Sequence, residues 1–295
     1  MFMASLFPDS NGICRLLDAG AGIGSLSDAF LERWQSGGFH FQRVELDAFE
    51  IDDSLHFYLK KTLERHRNRS GFSAVVRGDD FIHAATETLS GGFFAAATPQ
   101  YTHAILNPPY KKINSNSAHR LALRSVGIET VNLYSAFVAL AVAQAAPGGQ
   151  IVAIIPRSFC NGPYYRPFRD FILERAAIRH IHLFESRNKA FKDDKVLQEN
   201  VIIRLERGGS QGPVTITTST DDSFNDLATH EHPFDRVVFP DDPERFIHVP
   251  TPTEKRAIEL SPAVRSPLAE LGTKEQPGPG VDWRSKEPLR DLAGG

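Results

Sequence analysis

Arg15-Leu-Leu-Asp-Ala-Gly-Ala-Gly-Ile-Gly-Ser25 is the stretch that decides the fold. A short apolar run ends in an acid, glycines follow at every second position (Gly20, Gly22, Gly24), and Ser25–Gln35 then carries apolar residues at helical spacing. A strand that turns through glycines directly into a helix is the opening move of an α/β domain, because glycine permits the tight turn and lets the backbone approach a ligand closely. The spacing is G-x-G-x-G, not the G-x-G-x-x-G of dinucleotide-binding folds. Read alone, the stretch also fits an α/β turn that binds nothing.

Outward from it, strand-like runs at Arg15–Asp18, Phe41–Ile51, Phe72–Arg77, Thr102–Leu106, Gln150–Pro156, Ile178–Phe184 and Val201–Leu205 alternate with helical patterns at Ser25–Gln35, Asp53–Arg67, Glu129–Ala145 and Tyr164–Ala176. Near-continuous apolar strands between amphipathic helices predict a mostly parallel sheet covered on both faces, a doubly wound α/β domain over residues 1–208. Arg207-Gly-Gly-Ser-Gln-Gly-Pro213 reads as a turn and Val214–Thr218 as a strand, so residues 209–260 are expected to form a β-rich extension. Beyond Ser261 the chain turns rich in Pro, Gly and charge, and residues 261–295 read as a linker with the start of a further domain. No internal repeat is present.

With 41% hydrophobic residues among 295, the chain can bury a sizeable core. No apolar run reaches the roughly 18 residues of a membrane span, and Met1–Phe7 lacks the basic start of a signal peptide. Cys14 and Cys160 are too few for a structural zinc site and fit the reduced thiols of a cytoplasmic protein; no metal is expected. A net charge of −3 gives no overall pull toward nucleic acid, so any DNA contact needs local basic patches.

The ends of the first strands are acidic: Asp18 after the first, Glu50 to Asp53 after the second, Asp79 and Asp80 after the third. A carboxylate in the first position suits an ammonium, and one in the second can accept both hydroxyls of a ribose. The fourth strand leaves through Ala104-Ile-Leu-Asn-Pro-Pro-Tyr-Lys-Lys112. Its chemistry fits methylation of a planar, conjugated amine, a poor nucleophile until its lone pair is turned out of conjugation. The Asn107 side-chain oxygen and the Pro108 carbonyl can each accept one N–H, and Pro108 and Pro109 hold those acceptors rigid. Tyr110 can stack on the planar group; a base in DNA must first be flipped from the duplex to reach it.

In these motifs the chain resembles the N6-adenine DNA methyltransferases of type II restriction-modification systems, the N-P-P-Y class in which cofactor motifs precede the catalytic one. That resemblance implies a seven-stranded, Rossmann-like fold and S-adenosylmethionine as cofactor, bound by Asp18, Gly20 and Gly22 at the first strand, by Glu50 and Ile51 at the second and by Asp80 at the third, with Asp79 as the alternative. It assigns catalysis to Asn107, Pro108, Pro109 and Tyr110. Phe137, in Asn132-Leu-Tyr-Ser-Ala-Phe137, would border the cofactor adenine or be the core face of its helix, and Ile154–Phe159 matches a further family motif. Phe191 would sandwich a flipped adenine opposite Tyr110 or pack as a loop residue; Arg187, Lys189, Lys192 and Lys195 around it are candidate phosphate contacts.

Two departures from the family pattern are expected to matter. Its N-terminal cofactor motif is missing ahead of Met1–Phe7, and the target-recognition domain stops soon after it begins, which fits a truncated gene product, a misplaced start or a split enzyme whose double-stranded DNA is read by a separate target-recognition subunit. The rival readings are a protein-glutamine N5-methyltransferase acting on release factors, which shares the N-P-P-Y chemistry, an RNA-base methyltransferase, and an inactive DNA-binding remnant.

Overall fold

The computed structural model describes residues 1–91, 100–184 and 199–249. In chain order the elements are α1 (Phe2–Ser5), β1 (Asn11–Ala19), α2 (Ser25–Gln35), β2 (His40–Phe49), α3 (Asp53–Glu64), β3 (Phe72–Arg77), α4 (Phe81–Leu89), β4 (Tyr101–Leu106), α5 (Ala118–Ser125), α6 (Leu133–Gln144), β5 (Ala145–Pro156), α7 (Arg166–Arg175), β6 (Ala176–Phe184), β7 (Asn200–Arg207), β8 (Val214–Ser219), β9 (Ala228–His232) and α8 (Phe234–Val237). The doubly wound α/β reading holds. The described strands form one sheet in the order β3-β2-β1-β4-β5-β7-β6-β8-β9. β3 through β5 run parallel, β7 lies antiparallel between β5 and β6, β8 is parallel to β6, and β9 closes the edge antiparallel to β8.

Successive residues of a strand face opposite sides of the sheet, and the core divides accordingly. Leu17, Ala104 and Ile151 belong to one apolar cluster with α4, α6 and α7; Leu16, Ile105 and Val152 belong to the other, with α1, α2 and α3. β5 is buried over its last eight residues and α6 is apolar all round, as a central strand and the helix lying on it must be. His103 is set among Phe7, Phe30, Phe39 and Phe41, where burial pushes its imidazole down to about 4.

Three differences from the sequence reading have physical causes. The sheet has nine described strands, not seven, because β8 pairs with the free edge of β6 and β9 with β8; the first compact unit therefore runs Met1–Val249 with no break at 208. α4 and α5 were not anticipated. Each is short and begins at a side-chain cap: Asp80 accepts the His83 N–H at 3.0 Å, and Ser117 accepts the Arg120 N–H at 3.3 Å. The helix expected from Glu129 starts at Leu133, since the preceding residues are held extended: Ile113 N–H donates to the Val131 carbonyl and Leu133 N–H to the Lys111 carbonyl, both at 2.8 Å.

Arg169 secures the segment after β9. Fully buried, it donates through Nη1 to the carbonyls of Phe159 and Gly162 at 2.9 and 2.8 Å, and through Nε and Nη2 to that of Glu244 at 3.0 and 2.9 Å. Arg169→Met leaves three carbonyl oxygens without their donor, a loss of about 3 kcal/mol. Urea unfolding should show a lower midpoint with an unchanged slope; an unmoved midpoint would mean that the segment is held without Arg169.

Candidate active site

β1 pairs with β2 on one side and β4 on the other, Leu16 opposite His103 and Leu17 opposite Ala104. The chain thus reverses its direction of travel across the sheet at β1, and the carboxyl ends of β1 and β4 flank the crevice where open α/β sheets take ligands. An open cavity of about 630 Å³ lies there, lined by Gly20, Glu50, Ile51, Asp80, Asn107, Pro109 and Phe137 among others.

The glycine turn is shaped by close contacts. Gly20 has φ +78°, and its N–H and that of Ala21 both donate to the Phe49 carbonyl, at 2.9 and 2.8 Å. A Cβ on Gly20 would stand 3.7 Å from the Phe137 ring, 3.8 Å from Pro109 Cδ and 3.9 Å from the Asn107 carbonyl oxygen. Three motifs distant in sequence therefore meet around one residue without a side chain. Gly24 has a different reason: at φ +87° a Cβ would come within 2.8 Å of Leu59, so it serves the packing of α2 on α3.

The acids occupy distinct settings. Asp18 is fully buried at the end of β1; its Oδ2 accepts the Ser27 hydroxyl at 2.6 Å, while Oδ1 has no hydrogen-bond partner. Burial pushes its carboxyl up from 3.8 to about 6, against the Ser27 hydrogen bond and with a small further push from Glu50. Glu50 accepts the N–H of Gly22 on Oε2 and of Asp52 on Oε1, each at 2.8 Å, and His56 Nε2–H donates to its carbonyl at 2.6 Å. Ile51 is 64% exposed yet lines the cavity. Asp80 caps α4 and also accepts His119 Nε2–H on Oδ2 at 2.9 Å. Sequence reading missed His119 and Ser27; a serine in the first turn of the helix after a G-x-G-x-G turn was the available signal for Ser27.

At the end of β4, Asn107 and Pro109 are exposed toward the crevice and Pro108 is buried. The Tyr110 hydroxyl lies 3.4 Å from both Asn107 Oδ1 and the Ile154 carbonyl, and its ring stands edge-on to Tyr134 at 6.1 Å. Phe137 is a core residue, 5.0 Å from the Phe81 ring, and it also borders the cavity. Phe191, Arg187, Lys189, Lys192 and Lys195 lie outside the described residues. No described helix is long and apolar enough to cross a membrane.

Residues 43–191, half of the chain, match the model of the Eco57I restriction-modification methylase family. The chain belongs to that family. The matched segment holds the N-P-P-Y motif, and the glycine turn precedes it. The type II methyltransferase M.BsuBI of Bacillus subtilis is 51% identical over all of this chain and 59% of its own length; M.PstI of Providencia stuartii is 39% identical over 97% of this chain and 57% of its own. The chain thus spans somewhat under three fifths of the length of these two relatives. Among solved structures, a modification subunit of a putative type I restriction enzyme from Vibrio vulnificus YJ016 superposes with a TM-score of 0.63 at 10% identity, covering 84% of this chain and 56% of that one. The fold is that of the class I S-adenosylmethionine-dependent methyltransferases.

In this methylase fold the buried Asp18 is a burden on stability. Its folded-state pKa lies above the unfolded value, so its favourable contribution is complete below pH 3.8 and is lost as the pH rises through about 6. Asp18→Asn should therefore be the more stable protein at pH 7, by up to about 3 kcal/mol, with the difference gone near pH 4. Thermal melts across that range check it; an Asn variant less stable at neutral pH would show that ionised Asp18 is well solvated.

Proposed function

We propose that this chain transfers a methyl group from S-adenosylmethionine to the N6 amino group of an adenine in double-stranded DNA, as the modification activity of a restriction-modification system. The observation that carries the proposal is the packing of Asn107-Pro-Pro-Tyr110 against Gly20, with Phe137 as the third wall, at the carboxyl ends of β1 and β4. It sets rigid acceptors for an amine beside the turn that would hold the methyl donor.

The residues present fit that cofactor. Asp18 Oδ1 is a buried acceptor that lacks a partner, which an amino-acid ammonium would complete. Two backbone N–H groups fix the Glu50 carboxylate, and its remaining lone pairs suit the ribose hydroxyls. Ile51 offers an exposed apolar face for the adenine, Phe137 a second one, and Asp80 an acceptor for its amino group. Bound S-adenosylmethionine would supply an electrophilic methyl group. The protein's part is to position the amine: Asn107 Oδ1 and the Pro108 carbonyl take its two N–H groups, and Tyr110 stacks on the flipped base. Phe191 is proposed as the second stacking face and a separate target-recognition subunit as the partner that reads sequence. The type II methyltransferase relatives favour DNA over a protein glutamine as the acceptor.

The test uses tritiated S-adenosylmethionine and duplex DNA. Asn107→Ala should lose at least roughly 10²-fold in kcat, while affinity for S-adenosylhomocysteine changes little. Undiminished turnover in that variant rules out the positioning mechanism; no label in adenine when the unaltered protein is supplied with the target-recognition subunit rules out the substrate.

Cofactor binding should also release a proton at a pH just below 6, because a neighbouring ammonium lowers the raised pKa of Asp18. Calorimetry in buffers of different ionisation enthalpy reads that proton, and Asp18→Asn should abolish it. A binding enthalpy independent of buffer would separate Asp18 from the ammonium.

A further inference from the structure

Asp80, His83 and His119 each bring a ligating atom to within 4.8 Å of one another. Asp80 is the cap of α4 and accepts the backbone N–H of His83, three residues on, so both lie at the start of the helix. His119 comes from the first turn of α5, capped by Ser117. Two capped helices thus present the three groups, and α4 and α5 pack together. The two imidazole rings lie 4.9 Å apart, and His119 already bonds Asp80 Oδ2 at 2.9 Å. The His83 ring is exposed and makes no hydrogen bond among the described residues, so it has a nitrogen lone pair to offer.

Two imidazoles and one carboxylate are the donor set of a late divalent transition ion, and the cavity that Asp80 and His119 line leaves room for water or another ligand as the fourth. A tetrahedral ion with bonds of about 2.0–2.1 Å sets its donors roughly 3.3 Å apart. The Asp80–His119 pair is already nearer than that, and rotation of the exposed His83 side chain closes the rest. Neither hydrogen bonding nor core packing opposes that rotation, whereas the same three residues would be a poor site for Mg²⁺, which prefers an octahedron of oxygens.

We propose that Asp80, His83 and His119 form a binding site for a divalent late transition ion such as Zn²⁺ or Ni²⁺, and that the ion and the cofactor adenine exclude each other because both claim Asp80. The exclusion rests on the cofactor reading given above; the ion site itself does not. Occupancy of the site would switch off methyl-donor binding when free transition metal rises.

Co²⁺, whose tetrahedral complexes absorb visible light, is titrated into the full chain. One ion should bind per chain, displaced by Zn²⁺, and His83→Ala and His119→Ala should each weaken binding at least tenfold, while His230→Ala, at an exposed site on β9, leaves it unchanged. His83 is exposed, so its removal leaves the fold intact, and a melting curve confirms that. Calorimetry with S-adenosylhomocysteine should then show at least a tenfold weaker Kd under saturating Zn²⁺, and S-adenosylhomocysteine should weaken Co²⁺ binding by the same factor, as linkage requires. Cobalt affinity unchanged in both variants overturns the site. Product affinity indifferent to Zn²⁺, in a chain whose cobalt titration responds to the variants, overturns the exclusion. Failure of S-adenosylhomocysteine to bind at all, beside a normal cobalt titration, upholds the ion site and overturns the cofactor reading together with the exclusion.

Discussion

Everything at the site depends on β1 and β4 lying side by side. The chain travels outward from β1 through β2 to β3, then returns to place β4 on the other flank of β1. The turns leaving β1 and β4 consequently run to opposite faces of the sheet and open a crevice between them. Into it the chain puts two corners, a glycine turn with left-handed backbone and a diproline that fixes its own φ. At Gly20 both the Asn107–Pro109 corner and Phe137 come within van der Waals reach, and its φ of +78° is what favours glycine there.

The electrostatics of the crevice follow from how each acid is satisfied. Glu50 spends two lone pairs on backbone N–H groups, which orients it and keeps it an acceptor. Asp18 is fully buried beside Ser27, and burial raises its pKa against the Ser27 hydrogen bonds. Burying an ionised carboxylate of this kind is costly for the fold. Sites that must bind charge tightly are often the places where a fold is locally less stable than it needs to be.

Much of this was legible because it is local. Strand periodicity, the glycine turn and the acids at strand ends are patterns within a dozen residues, and they located Asp18, Glu50, Asp80 and Asn107 at one edge of the sheet. What stayed hidden required contacts across the chain. His119 lies 39 residues from Asp80, and no spacing rule joins them; α4 and α5 are too short to show a period, so Asp80 read as a strand-end acid when it is a helix cap. β8 looked like the start of a separate extension because the sequence shows a strand and not the edge it pairs with. Phe137 carried two readings, and on a helix buried all round a residue can be core on one side and cavity wall on the other.

The N-P-P-Y corner illustrates how rigidity is divided between covalent structure and hydrogen bonding. The prolines fix φ at two residues, but they cannot fix where the corner as a whole stands. That is done downstream, where Lys111 and Ile113 pair with Leu133 and Val131 and tie the loop to the start of the helix that carries Phe137. Two backbone hydrogen bonds thus join the N-P-P-Y loop to the helix that forms the third wall of the cavity. Within the loop the Tyr110 hydroxyl is shared, at 3.4 Å, between Asn107 Oδ1 and the Ile154 carbonyl. A contact that long is weak. The corner's shape and place are therefore set by proline geometry and backbone pairing.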